Sequence, residues 1–103
     1  DLYADWCIAC KELEKYTFTD SDVSKILNSL NLVKFDITET SEKNNKFLKD
    51  FKLFGPPVIM FFDKNGNEVR QSRIVGFVDS EQFIKTFNRI DKSLSKLNNN
   101  KSL

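Results

Sequence analysis

Cys7 and Cys10 are the only cysteines in the chain, and they stand three positions apart between the end of an apolar segment and a helical pattern. This pair constrains the fold more than any other feature. A C-x-x-C spacing at the start of a helix closes a small disulfide ring on the helix's first turn. The free N–H groups and the dipole there favour a thiolate. Cys7, at the exposed end, is read as the nucleophile and Cys10, inside the first turn, as the resolving thiol. Other readings are weaker. Zinc wants four ligands, and the chain offers no further cysteine and no histidine, so only a dimer could complete such a site. A purely structural disulfide this short restrains the unfolded chain little. Two free core cysteines remain a third possibility, but a strand leading directly into Trp-Cys-x-x-Cys and a helix favours a redox site.

Composition narrows the function further. The chain has 103 residues, 40% of them hydrophobic, with ten Phe, enough for one domain with a real core. Sixteen basic and fifteen acidic residues give a net charge of +1, so no strongly basic field exists to hold nucleic acid. The absence of histidine removes imidazole-based acid–base chemistry. No apolar run is long enough to span a membrane. The sequence opens at Asp1 within what reads as a strand, so it is read as a fragment with its first strand truncated.

The order of elements reads strand, helix, helix, strand, helix, strand, strand, helix. Residues 1–4 end a buried strand, and residues 11–16 are helical. Asp20 or Ser21 caps a second helix with Val23, Ile26, Leu27 and Leu30 on one face. Residues 32–37 read as a strand, and 40–52 as a helix with a Phe47, Leu48 and Phe51 stripe. The break at Gly55-Pro56-Pro57 leads into a central strand, 58–62. Lys64-Asn65-Gly66-Asn67 marks a hairpin turn, followed by a returning strand, 73–77. Asp79 and Gln82 form a capping box for a last helix, whose apolar side carries Phe83, Phe87, Ile90, Leu94 and Leu97. The domain is expected over 1–97, with 98–103 a polar, flexible tail. The fold class is α/β: a three-layer sandwich with a mixed central sheet and helices on both faces.

The sequence resembles the thioredoxin superfamily and, more closely, the C-terminal periplasmic domain of the DsbD thiol–disulfide interchange family. The run from Asp1 to Phe18, DLYADWCIACKELEKYTF, carries this resemblance. Residues 35–38 (FDIT), 55–57 (GPP), 61–63 (FFD) and 76–79 (GFVD) add to it. The resemblance implies a thioredoxin-like fold and a relay of electrons. A membrane domain passes them to this one, which hands them to another domain of the same protein and so to periplasmic partners, including those of cytochrome c maturation. It implies a periplasmic location, protein disulfides and dithiols as partners, a monomer, and no cofactor beyond the Cys7–Cys10 disulfide itself.

The resemblance also assigns roles. Asp1, six residues before Cys7, becomes a buried acid that moves protons to and from the resolving thiol and opposes a thiolate nearby; otherwise it is a solvated strand-end aspartate. Glu14 becomes a second acid tuning the cysteines, or a surface glutamate pairing with a lysine. Trp6 shields the site and offers docking surface. Pro57 matches the cis-proline that faces the cysteines. Pro56 departs from the family, where Leu or Ile is common; it lacks an N–H, so docking of an extended partner must lean on its carbonyl and on apolar contact. Gly76 lets a partner approach the site, or else marks a β-bulge. The pair Ile8-Ala9 lacks the histidine of oxidising relatives, which implies a potential nearer thioredoxin's, about −270 mV, than DsbA's, about −120 mV. A free-standing thioredoxin, a periplasmic oxidant, and a binding module with incidental cysteines are the alternatives.

Overall fold

A computed structural model describes the backbone of residues 1–69 and 71–101, and the side chains of these up to residue 92. Four two-residue strands form one sheet: β1 (Leu2–Tyr3), β2 (Phe35–Asp36), β3 (Val58–Ile59) and β4 (Ile74–Val75). Their order is β2-β1-β3-β4. β1 and β2 are parallel, with Leu2 opposite Phe35; β1–β3 and β3–β4 are antiparallel. The mixed sheet expected from alternating early units and a late hairpin is the one observed. The strands are shorter than their apolar runs suggest, because Leu32 and Val33 are exposed and lie outside the sheet. The run 58–62 also stops short, and Phe62 rejoins the pairing only as a bridge to Glu68.

The helices are set by their caps. Cys7 caps α1 (Ile8–Glu12), which continues into a π-helical segment, Leu13–Thr17. Asp20 caps α2 (Ser21–Asn28), accepting from the N–H groups of Asp22 and Val23. Ser41 caps α3 (Glu42–Asp50). Lys52, at φ 56°, turns the chain out of α3, and Leu53 N–H returns to Leu48 O at 2.8 Å. Asp79 and Gln82 exchange bonds at the start of α4 (Ser80–Lys101), as a capping box requires. Residues 98–101, expected in the tail, continue α4. The expectations for Leu94 and Leu97 lie outside the described side chains. Asp63 organises the 63–67 turn, accepting from Asn65 and Asn67 N–H, and Gly66 takes φ +83° there.

Two cores flank the sheet. The first joins Leu2, Tyr3, Ala4, Cys7, Cys10, Ile37, Leu53 and Val58, with Phe47, Leu48 and Phe51 of α3 against it. Phe35 stacks on Phe47 at 4.0 Å, and Phe47 leans on Phe51 at 4.6 Å. The second joins Leu13, Val23, Ile59, Ile74 and Phe83, with Ile26, Leu27 and Phe87 packed on it. Val58 and Ile59 point to different cores, as adjacent strand residues must. The cysteine-bearing helix enters both cores, Cys10 one and Leu13 the other.

Candidate active site

Cys7 and Cys10 form a disulfide with their Cα atoms 5.3 Å apart. The turn that holds them follows from backbone bonding. Cys7 N–H donates to Ala4 O at 3.0 Å, which folds the chain back as it leaves β1. Cys7 Sγ then accepts Cys10 N–H at 3.1 Å, so the first cysteine is itself the N-cap of α1. A sulfur facing an unpaired helix N–H is the one better able to carry negative charge. Cys10 Sγ lies 4.0 Å from Leu2 O. A disulfide sulfur has no proton to give, but a Cys10 thiol would face a carbonyl oxygen able to accept one. The two sulfurs thus sit in unequal surroundings. Their exposure differs from expectation: Cys7 is 7% exposed and Cys10 3%, so neither stands open. The bond to Ala4 draws Cys7 into the first core, and the exposed groups are its neighbours, Trp6 at 61% and Ile8 at 75%.

Thr38, to which the sequence reading gave no role, fixes the approach to Cys7. Its hydroxyl accepts Asp5 N–H at 2.8 Å, and its carbonyl accepts Trp6 Nε1–H at 3.1 Å. Asp36 holds Thr38 in turn, accepting from its N–H and its hydroxyl. That hydroxyl bond lowers the Asp36 carboxyl below its ordinary range. The local signal is an Asp-x-Thr turn just past a strand; its reach to Asp5, 33 residues away, is not visible in sequence.

Pro56-Pro57 is a cis peptide. Pro57 is buried, and its carbonyl accepts Gly76 N–H at 3.0 Å, so the proline loop and the Gly76 loop extend the β3–β4 ladder. Gly76 has φ +82°, a conformation glycine supplies without strain. Pro56 and Trp6 line one cleft of about 110 Å³, together with Ile37, Leu48 and a fully exposed Phe54. Trp6, Pro56, Pro57 and Gly76 are thereby linked around one end of the sheet. Asp1 is half-buried beside β1; its backbone bonds Val33 and Phe35, and its carboxylate makes no hydrogen bond among the described residues. Glu14 faces Lys34, 2.8 Å away, and Lys34 Nζ also sits 3.7 Å above the Tyr3 ring. The Glu14 bond raises the Lys34 ammonium pKa, while a hydrogen bond to Asp5, first of several causes, raises the Tyr3 phenol. No cluster of residues suited to a metal ion occurs among the described residues.

A sheet of this order with a C-x-x-C turn at the head of its first helix defines the thioredoxin-like class. A family model described as a thioredoxin-like domain matches residues 1–91, and the chain belongs to that family. Within it, the chain is similar to DsbD proteins. It is 47% identical over 90 residues to the thiol:disulfide interchange protein DsbD of Actinobacillus pleuropneumoniae, and 48% identical over 90 residues to that of Haemophilus ducreyi. These matches cover 87% of this chain but only 15% and 16% of those proteins. Among solved structures, the oxidised C-terminal domain of Neisseria meningitidis DsbD superposes with a TM-score of 0.76 at 31% identity, covering 86% of this chain and 75% of that one. A Thermus thermophilus thioredoxin shares the fold, with a TM-score of 0.69 at 18% identity, over 86% of this chain and 68% of that one.

Proposed function

We propose that this chain is a protein-disulfide reductase of the DsbD type, passing electrons by dithiol–disulfide exchange. The observation that carries the reading is the inequality of the two sulfurs: Cys7 Sγ caps a helix, while Cys10 Sγ faces a carbonyl. In the reduced form the Cys7 thiolate attacks one sulfur of a partner disulfide. A mixed disulfide forms, and the partner's other sulfur leaves as a thiolate. Cys10 gives up its proton and attacks Cys7 Sγ, closing the intramolecular disulfide and releasing the partner's second thiolate. Two electrons pass to the partner, whose thiolates take up two protons, one of them from Cys10. Asp1, adjoining the strand beneath Cys10, is the proposed proton acceptor. Glu14, held by Lys34, is the proposed tuning charge. The electrons reside on sulfur throughout, so the step requires no other cofactor.

Trp6, Pro56, Pro57 and Gly76 form the proposed docking rim. Pro56 offers a carbonyl but no N–H to an extended partner. The DsbD kinship supports a place in a relay, with electrons arriving from a membrane domain and leaving to periplasmic proteins, the domain acting as a monomer. Among the described residues, no helix is long and apolar enough to cross a membrane.

Insulin reduction in the presence of dithiothreitol, together with the equilibrium potential of the pair, tests this reading. The wild-type chain is expected to reduce insulin and to show a potential nearer about −270 mV than about −120 mV. Cys7→Ser is expected to abolish turnover, and Cys10→Ser to accumulate a mixed disulfide visible by mass. A potential near the oxidising value would overturn the direction of transfer; the absence of any reversible disulfide would overturn the exchange itself.

A further inference from the structure

The π-helical segment ends in a buried hydroxyl, that of Thr17. Phe18 N–H reaches back five residues to Leu13 O, at 2.8 Å. Tyr16 is exposed there, while Thr17, four residues past the buried Leu13 and on the same face, is 0% exposed. A helical threonine commonly bonds the carbonyl one turn back. Thr19 does so, donating to Lys15 O at 2.6 Å. Thr17 instead donates across the molecule to Val78 O at 2.6 Å, 61 residues away in sequence. Val78 is two residues past Gly76, whose N–H holds the Pro57 carbonyl. Val58, next in the chain, packs in the same core as Cys7 and Cys10. The path closes on itself, from Cys10 along its helix to Thr17, across to Val78, through Gly76 to Pro57, and back.

We infer that Thr17 is a positioning residue for exchange with protein partners, its hydroxyl fixing the loop of Gly76 and Pro57 against the helix that carries Cys7 and Cys10. The inference rests on the exchange function proposed above. Apolar packing alone resists separation of two surfaces better than it resists sliding. A directed bond from a rigid β-branched side chain fixes the register. A protein partner must meet the loop and the sulfur together, so a small displacement of one against the other costs rate. A small disulfide needs only the sulfur.

The experiment compares Thr17→Val, which keeps the shape and deletes the donor, with Thr17→Ser, which keeps the donor. Each is assayed with insulin and with the small aromatic disulfide 5,5′-dithiobis(2-nitrobenzoate), per folded molecule. Thr17→Val is expected to lose roughly tenfold with insulin, with little change toward the small disulfide, and Thr17→Ser to recover most of the loss. Should Thr17→Val unfold at the assay temperature, Thr17→Ala carries the same expectation against Thr17→Ser. An unchanged insulin rate, a parallel fall with both substrates, or failure of Thr17→Ser to recover would each overturn the assignment. A wild-type chain inert toward both disulfides would remove the exchange function, and the inference with it.

Discussion

The two cores of this domain are built from different materials. The second is hydrocarbon throughout, with Phe83 at its centre, tilted Phe61 nearby, and Phe18 meeting Phe83 edge-on at 6.3 Å. The first holds two sulfurs and a small residue, Ala4, and its backbone groups are engaged in shaping the cysteine turn. Phenylalanine side chains bury much area with few conformers, and the second core buries one of them, Phe83, completely, whereas Phe35, Phe47 and Phe51 pack against the first while partly exposed. Ala4 and the cysteines bury less but leave room for a sharp turn and for sulfur to change partners. One sheet thus separates a core built around a fully buried ring from a core that also holds the two sulfurs, and the cysteine helix is anchored in both.

Substitutions in each core test that division. The largest effect is expected for Phe83→Ala, a fully buried ring whose loss costs about 3–5 kcal/mol. Chemical denaturation should register it, while the insulin rate per folded molecule stays near wild type; a lost rate would mean the cores are not separable. Ala4→Val is expected to cost less stability, about 1–3 kcal/mol from overpacking a fully buried site. It should nonetheless slow insulin reduction roughly several-fold, because crowding at residue 4 shifts the backbone whose carbonyl receives the Cys7 N–H. A variant that loses stability but keeps its rate would break the comparison from the other side.

A polar clamp sharpens it at smaller scale. Arg73 donates to both carboxylate oxygens of Glu68, at 2.6 and 2.8 Å, and to Phe51 O at 2.7 Å, tying the 63–67 turn to the end of α3. Arg73→Met is expected to cost about 1–2 kcal/mol, chiefly by leaving that carbonyl without its donor. The Arg73 bond holds the Glu68 carboxyl below its ordinary value of 4.5. A carboxyl depressed in the folded state stabilises fully above its unfolded value and ceases to as pH falls through the folded one. The stability gap between wild type and Arg73→Met should therefore be constant above pH 4.5 and narrow below it. Denaturation curves collected across that range provide the check.

What could be read from the sequence followed the distance over which each feature is determined. Cys7, Cys10 and the caps at Asp20 and Asp79 are settled within a few residues, and their local patterns gave them away. The Gly55-Pro56-Pro57 break was equally legible. The strand ends were not, because pairing rather than hydrophobicity decides where a strand stops, and Leu32 and Val33 lie outside the β1–β2 register, Val33 O meeting the Asp1 amino group instead. Thr38, Thr17 and Lys34 escaped for a related reason. Each works through a bond to a residue 20 to 61 positions away, and nothing in a threonine or a lysine announces its distant partner. The exposed end assigned to Cys7 failed because the bond to Ala4 O folds that residue inward.

Placing both sulfurs on a single helical turn has a consequence for how long partners are held. In the exchange proposed above, once Cys7 is joined to another protein, Cys10 would attack from a fixed position on the same turn, at an effective concentration that no free thiol in solution can match. The lifetime of the mixed species is then set by this chain and not by its surroundings. In that scheme a partner is released before stray thiols intervene, and the domain is left free for the next exchange.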